Sequence, residues 1–273
     1  MTDARVREFW QDRALDPAHD DSEVTHRDVW QRWLEIETIR RCLRPTDRLL
    51  DVGCGAGYTT KLLAPAVAEA VGVDFSEAMI ERARRTPASP RPSPAPSAAS
   101  PSLSSPVSVP VRFEVGDVLA LGPEQFGLFD VVTSSRCLIN LPSWEAQQQA
   151  IRNVASVLRP GGRFVFVEGL ADGRLRLNAL REHVGLEPMP AVWHNIDFAE
   201  ATLLPFLDSL FTVAERRHFG VYDFVARVVH PLTAAPAAPT YDARINEVAA
   251  RLALDRQDHG DLSRVIVLVL ERR

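Results

Sequence analysis

Apolar and polar positions along this chain alternate between two rhythms. Compact apolar runs recur at Leu49-Leu50 with Val52, Ala70 to Val73, Val111 to Val115, Phe129 to Thr133 and Arg163 to Val167. Runs this short and this rich in β-branched residues read as buried strands. Between them the apolar residues recur every three or four positions, as on one face of a helix. Val29, Trp30, Trp33, Leu34 and Ile39 mark such a face before the first strand, with the tryptophans expected in the core. A second helix should begin near Tyr58. Ser76 can cap a third that carries Met79, Ile80 and Ala83, and Ser143 can open a fourth, with Ala150, Ile151, Val154, Ala155 and Leu158, that Pro160-Gly161-Gly162 ends. Strands and helices in regular alternation imply a parallel sheet covered by helices on both faces: an α/β, doubly wound fold.

The rhythm breaks twice. Thr86 to Pro110 is almost entirely Pro, Ser and Ala, a composition that neither packs nor propagates a helix, so residues 86–110 read as a disordered insertion. After residue 170 the pattern loosens. A helix is expected over Gly173–His183, a strand over Leu210–Arg216, an amphipathic helix at Ile245, Val248, Ala249 and Leu252, and a final strand over Val265–Leu270.

The chain has 273 residues, 46% of them apolar, which suffices for a single large domain. A net charge of −5 with scattered arginines speaks against a nucleic-acid surface. Three cysteines form no CxxC or disulfide framework, no histidine–acid spacing suggests a metal site, and no apolar run is long enough to span a bilayer. A soluble, cytoplasmic protein is expected.

Chemistry concentrates between Arg48 and Asp74. Gly53, Gly55 and Gly57 follow the first strand at alternate positions, where the chain must turn without Cβ atoms in the way of a ligand. The second strand ends in Asp74, about 20 residues on, at a distance that suits a carboxylate accepting from two ribose hydroxyls. The Gly-x-Gly-x-Gly spacing differs from the Gly-x-Gly-x-x-Gly that packs a helix against a dinucleotide pyrophosphate, which disfavours a nicotinamide dehydrogenase. Asp51, just before the first glycine, would repel a pyrophosphate and attract an ammonium. A ribose-bearing ligand with a cationic amino-acid tail and no phosphate fits, and S-adenosylmethionine (SAM) is such a ligand.

The segment Asp51-Val-Gly-Cys-Gly-Ala-Gly57, together with Asp74, Gly116-Asp117 and Leu158-Arg-Pro-Gly-Gly162, resembles the class I SAM-dependent methyltransferases over roughly residues 40 to 170. A Cys-Leu-Ile-Asn-Leu segment after the fourth strand, Val-Glu-Gly after the fifth and Trp-His-Asn beyond look like a bacterial small-molecule branch of that family. The resemblance implies a seven-stranded Rossmann-like sheet whose last two strands form an antiparallel hairpin. About 40 residues separate those strands here, which reads as a cap inserted over the substrate. The implied organisation is an N-terminal helical flap (1–44), a cofactor-binding core (45–170), and a cap with the last strands (171–273). By the same likeness Phe75 flanks adenine, Asp117 meets its amino group, the Val118 backbone donates beside it, and Ser134 or Ser135 approaches the methionine end.

Methyl transfer needs mainly alignment, and a base only when the nucleophile arrives protonated. The candidate bases are Glu168, at the end of the fifth strand, His194 in Trp193-His194-Asn195, and His26 in the flap. Glu168 could instead be a buried partner for Arg136 or another arginine. The expected activity is transfer to an oxygen or nitrogen of a small-molecule acceptor. Carbon methylation with Glu168 as base, and a catalytically silent SAM-fold binding protein, are the alternatives.

Overall fold

The computed structural model describes residues 3–16, 24–25, 27–85 and 109–273. His26 and residues 86–108 of the Pro-rich insertion lie outside the described residues.

Seven strands form one sheet: β1 Arg48–Val52, β2 Glu69–Asp74, β3 Val111–Val115, β4 Phe129–Ser135, β5 Leu158–Gly169, β6 Phe211–His218 and β7 Val265–Arg272. Their spatial order is β3-β2-β1-β4-β5-β7-β6. The first five run parallel, and β7 lies antiparallel between β5 and β6. This is the doubly wound, mostly parallel sheet that the alternating pattern demands. Helices α1 Asp3–Leu15 and α2 Val29–Arg41 precede the sheet. Within the parallel half come α3 Tyr58–Leu63, α4 Glu77–Arg85, the single turn α5 Pro123–Phe126, and α6 Trp144–Val157. Beyond β5 lie α7 Ala171–His183 and α8 Glu200–Asp208. Between β6 and β7 come α9 Gly220–Phe224, α10 His230–Ala234 and α11 Arg244–Asp255, with a π-helical turn, Val225–Val229, joining α9 to α10.

Side chains alternate across the sheet with the period of two that strands impose. Leu50, Val52, Val132, Phe164, Phe166 and Leu268 bury against α6 and α8 on one face. Leu49, Val131, Val165 and Val267 bury against α2 and α11 on the other. The helix starts follow their capping residues. Ser143 Oγ accepts the Ala146 N–H at 3.2 Å, and Ser76 Oγ accepts the Met79 N–H at 3.3 Å.

Two expectations need correcting. The long connection between β6 and β7 is more than a cap: Tyr222 of α9 and Ala249, Ala250 and Ala253 of α11 belong to the same core as Leu49 and Val131. Alanines at these positions let α11 approach α2 closely, so part of the insertion completes a helical layer. The buried face of α2 also differs. Gln31, Arg32, Glu35 and Thr38 are buried with Leu34, Ile36 and Ile39, while Trp30 and Trp33 are only partly covered. A helix that buries arginine and glutamate does so for a partner or a site.

Candidate active site

The glycine-rich turn follows β1 at the carboxyl edge of the sheet, where open α/β folds bind ligands. Gly53, Gly55 and Gly57 have φ of 70°, 54° and 75°, in the left-handed region that glycine adopts without strain. Gly53 and Gly55 line a cavity of about 120 Å³. Gly57 faces away from it: a Cβ there would sit 2.6 Å from the Phe113 ring, so this glycine serves packing.

Asp51 and Asp74 both line the cavity and are both buried. Asp51 accepts from Thr60 Oγ1 at 2.5 Å and Thr133 Oγ1 at 3.0 Å. Asp74 accepts the backbone N–H groups of Gly55 and Ser76, each at 2.9 Å. Neither carboxylate has an ion-pair partner among the described residues. Burial raises each carboxyl to about 6, against the counteracting hydrogen bonds. The charges of Arg32 and Arg7 act on Asp51 and Asp74 without forming an ion pair, so both buried acids are incompletely compensated and retain capacity to accept from a ligand. Burial pushes the thiols of Cys54 and Cys137 well up as well, so neither is a thiolate nucleophile.

Phe75 lines the same cavity, but Asp117 and Val118 do not. The reason is α1, which crosses the strand ends: Arg7 pairs with Asp117 and stands 4.8 Å above the Phe75 ring. Asp117 also caps the following turn by accepting the Leu119 N–H at 2.9 Å. Of the two serines at the end of β4, Ser135 lines the cavity and donates to Glu35 at 3.3 Å. Ser134 is fully buried and donates to Glu168. The pleat permits only one of two neighbours to face one side.

Glu168 is the main correction. It lines neither cavity described here and has no arginine partner among the described residues. Arg136 pairs instead with Glu35, Nε to Oε1 at 2.9 Å. Glu168 is 0% exposed and accepts from the backbone N–H groups of Cys137, Leu138 and Ile139 at 3.2, 3.0 and 3.3 Å. It therefore anchors the turn after β4. Burial raises its carboxyl to about 7 despite those bonds.

Residues that the pattern did not single out complete the cavity. Arg32 of α2 lies 4.3 Å from the Tyr58 ring centre and donates to Thr25 Oγ1 at 3.1 Å. Glu35 follows one turn later. Trp10 of α1 donates from Nε1 to Asn140 Oδ1 at 3.1 Å. Polar residues on the buried face of α2 were the available signal, masked by the tryptophans beside them.

Trp10, Thr25, Arg136 and Asn140 also wall a second, larger cavity of about 510 Å³. His194 and Asn195 line it, held by Phe9 and Trp10, whose ring centroids lie 4.7 and 5.3 Å from that of His194. His194 Nδ1 and Asn195 Oδ1 are buried without a hydrogen-bond partner among the described residues. Burial, then the charge of Arg13, lowers the pKa of His194 and so favours its neutral ring. No cluster of metal-ligating side chains occurs among the described residues. None of the described helices is long and apolar enough to cross a membrane.

Comparison with known proteins agrees with this geometry. Residues 50–166 match the family described as a methyltransferase domain. Magnesium protoporphyrin IX methyltransferase from Synechocystis, solved with bound SAH, superposes over all of both chains with a TM-score of 0.59 at 18% identity. The N-methyltransferase NodS from Bradyrhizobium japonicum, in complex with S-adenosyl-l-homocysteine (SAH), covers 98% of each chain with a TM-score of 0.54 at 16% identity. At such identities the likeness shows the fold, the Rossmann-like fold of class I methyltransferases. The demethylmenaquinone methyltransferase of Symbiobacterium thermophilum is 30% identical over 150 residues, 54% of this chain and 52% of that protein. A ubiquinone biosynthesis O-methyltransferase of Bordetella avium is 30% identical over 119 residues, 44% and 41% of the two chains. An mRNA cap guanine-N(7) methyltransferase of Arabidopsis thaliana is 28% identical over 172 residues, 61% and 44%. The chain thus spans about half the length, or less, of these curated relatives.

Proposed function

We propose that this chain transfers a methyl group from SAM, bound at the glycine turn, to an oxygen or nitrogen atom of a small molecule held in the larger cavity. The observation that carries the reading is the pair of buried carboxylates, Asp51 and Asp74, without an ion-pair partner among the described residues, in a cavity that shares a wall with a larger one. A ligand with a cationic end and hydroxyl donors satisfies both acids, and SAM has both. Asp74 would hold the ribose hydroxyls, Asp51 the ammonium, and Phe75 one face of the adenine. For Asp117 and Val118 to reach the ring, Arg7 must leave Asp117, so α1 acts as the flap over that end.

The bound cofactor supplies an activated methyl group on a sulfonium. The chain's own residues supply alignment and exclude water. Trp10, Arg136 and Asn140 stand where the two cavities meet and set the approach of the acceptor. Glu168 holds the turn that carries Arg136 and Asn140. His194, in the acceptor cavity with its neutral ring favoured, is the candidate to accept a proton from the nucleophile. Carbon methylation loses its argument, because Glu168 does not reach a cavity. Small-molecule quinone methyltransferases among the relatives favour a small acceptor, and the cavity volume lies in the range of small-ligand sites.

The test is calorimetric titration with SAH, followed by transfer of label from methyl-labelled SAM to a panel of small phenols, amines and carboxylates. Saturable SAH binding and label in an acceptor are expected. Binding without transfer to any acceptor would leave a silent SAM-binding protein. Absence of SAH binding would overturn the proposal altogether.

A further inference from the structure

The wall of the larger cavity carries five arginines: Arg27, Arg136, Arg181, Arg227 and Arg264. One acid, Asp28, lines it with them. Three of the arginines are compensated. Arg136 pairs with Glu35 at 2.9 Å, Arg227 with Asp28, and Arg264 Nε with Asp223 Oδ1 at 2.8 Å. Arg27 and Arg181 have no carboxylate partner among the described residues. The chain as a whole carries −5, so this concentration of positive charge is local.

Arg181 is held in place without being neutralised. Its Nε donates to the Glu187 carbonyl at 2.9 Å and one Nη donates to the Arg227 carbonyl. A guanidinium has five N–H donors, so a fork remains for a ligand. Burial, then the charges of Arg227 and Arg264, push its pKa below the ordinary arginine range. A second unusual feature lies beside it: Arg227 sits in the π-helical turn Val225–Val229, a distortion that recurs at functional sites. The rest of the wall is apolar or aromatic at Met189, Val192, Pro231 and Tyr241.

We propose that the larger cavity takes an acceptor bearing an oxyanion, a carboxylate or phosphate group, gripped by Arg181 with Arg27 in support, with an apolar body against Met189 and Tyr241. Arg181 belongs to the larger cavity alone, while Trp10, Thr25, Arg136 and Asn140 belong to both. The anion therefore binds away from the glycine turn, and the opposite part of the acceptor faces the methyl group. Opposite charges in the two cavities sort the ligands: the acid-lined one takes the cation and the arginine-lined one the anion. This substrate class rests on the reading of the larger cavity as the acceptor site.

The experiment titrates the full chain, with and without SAH, with 4-hydroxybenzoate, 4-hydroxyphenyl phosphate and the neutral 4-hydroxybenzamide. At least one oxyanion probe should bind tenfold or more tighter than the amide, and the stronger of the two identifies the anion. Arg181→Gln should erase that preference, and Arg181→Lys should restore part of it. If Arg181→Gln fails to fold, Arg27→Gln, an exposed position, should reduce the preference at least threefold. Equal affinity for amide and oxyanions, no oxyanion binding at 5 mM, or a preference that survives the substitutions would overturn the proposal. SAH binding is read separately, so its failure strikes the methyltransferase reading, and loss of the oxyanion preference strikes only this one.

Discussion

The unpaired carboxylates of the glycine-turn cavity come from two adjacent strand ends, Asp51 in β1 and Asp74 closing β2, within one stretch of chain. The arginines of its neighbour come from five separate places: the entrance to α2, the turn after β4, α7, the π-helical turn and the approach to β7. One cavity is written locally and the other is assembled by closure of the fold. The first keeps two buried acids, Asp51 and Asp74, without an ion-pair partner among the described residues, and the second keeps two guanidiniums, Arg27 and Arg181, in the same condition. Each is electrostatically incomplete alone, and the complement of each is a ligand of opposite sign.

Four perturbations probe that contrast. The largest effect is expected at Glu168, which supports the turn shared by both cavities. Glu168→Ala orphans Ser134 and three backbone N–H groups, and should cost about 3–5 kcal/mol in denaturant unfolding. An unchanged midpoint would remove it as the anchor. Glu168→Gln adds a test of sign. The native carboxyl is held up at about 7 while the unfolded one titrates near 4.5, so its contribution is complete at low pH and fades as pH climbs through 7. The stability gap between the parent and Glu168→Gln should shift by about 3 kcal/mol against the parent from pH 4.5 to 7.5.

Next, Asp74→Asn should act on the glycine-turn cavity alone. It should weaken SAH by about 2–3 kcal/mol, the usual worth of hydrogen bonds to a charged group. The oxyanion preference of the larger cavity should not change, and a parallel loss there would mean that the two cavities are one. Third comes pH. Asp51 and Asp74 are both held up at about 6, and the ionised forms are those that receive a cation and hydroxyl donors. SAH affinity should therefore be full above that pH and fall about tenfold per acid by pH 5. A flat profile would separate both acids from the ligand. The smallest effect is expected for Thr133→Val, which keeps shape and removes one donor to Asp51. About 1 kcal/mol of SAH affinity should go, with the pH midpoint moving up.

The sheet was legible because the period of two and the helical period alternate without ambiguity from β1 to β5. The glycine turn was legible because positive φ and close approach demand glycine at fixed offsets. Glu168 shows where such reading ends. Its place at the end of an apolar strand is clear, but the direction of its side chain is set by the β4 turn folding over it, a contact some 30 residues away in sequence. Ser134 and Ser135 differ by the pleat alone, and a serine pair does not announce which one faces the ligand. Arg32 and Glu35 were hidden because tryptophans at Trp30 and Trp33 mark a stronger apolar face than the one α2 buries. The arginine cavity left no local trace at all, since no two of its arginines are neighbours in the chain.

Trp10 belongs to both cavities and is tied to Asn140, which also belongs to both. A ligand that shifts this indole in one chamber changes a wall of the other. Whatever free energy the first arrival spends or releases at Trp10 must then appear, with equal size, in the affinity of the second. The helix that carries Trp10 also carries Arg7, which pairs with Asp117, so one element touches the wall of both chambers and the far end of the glycine-turn cavity.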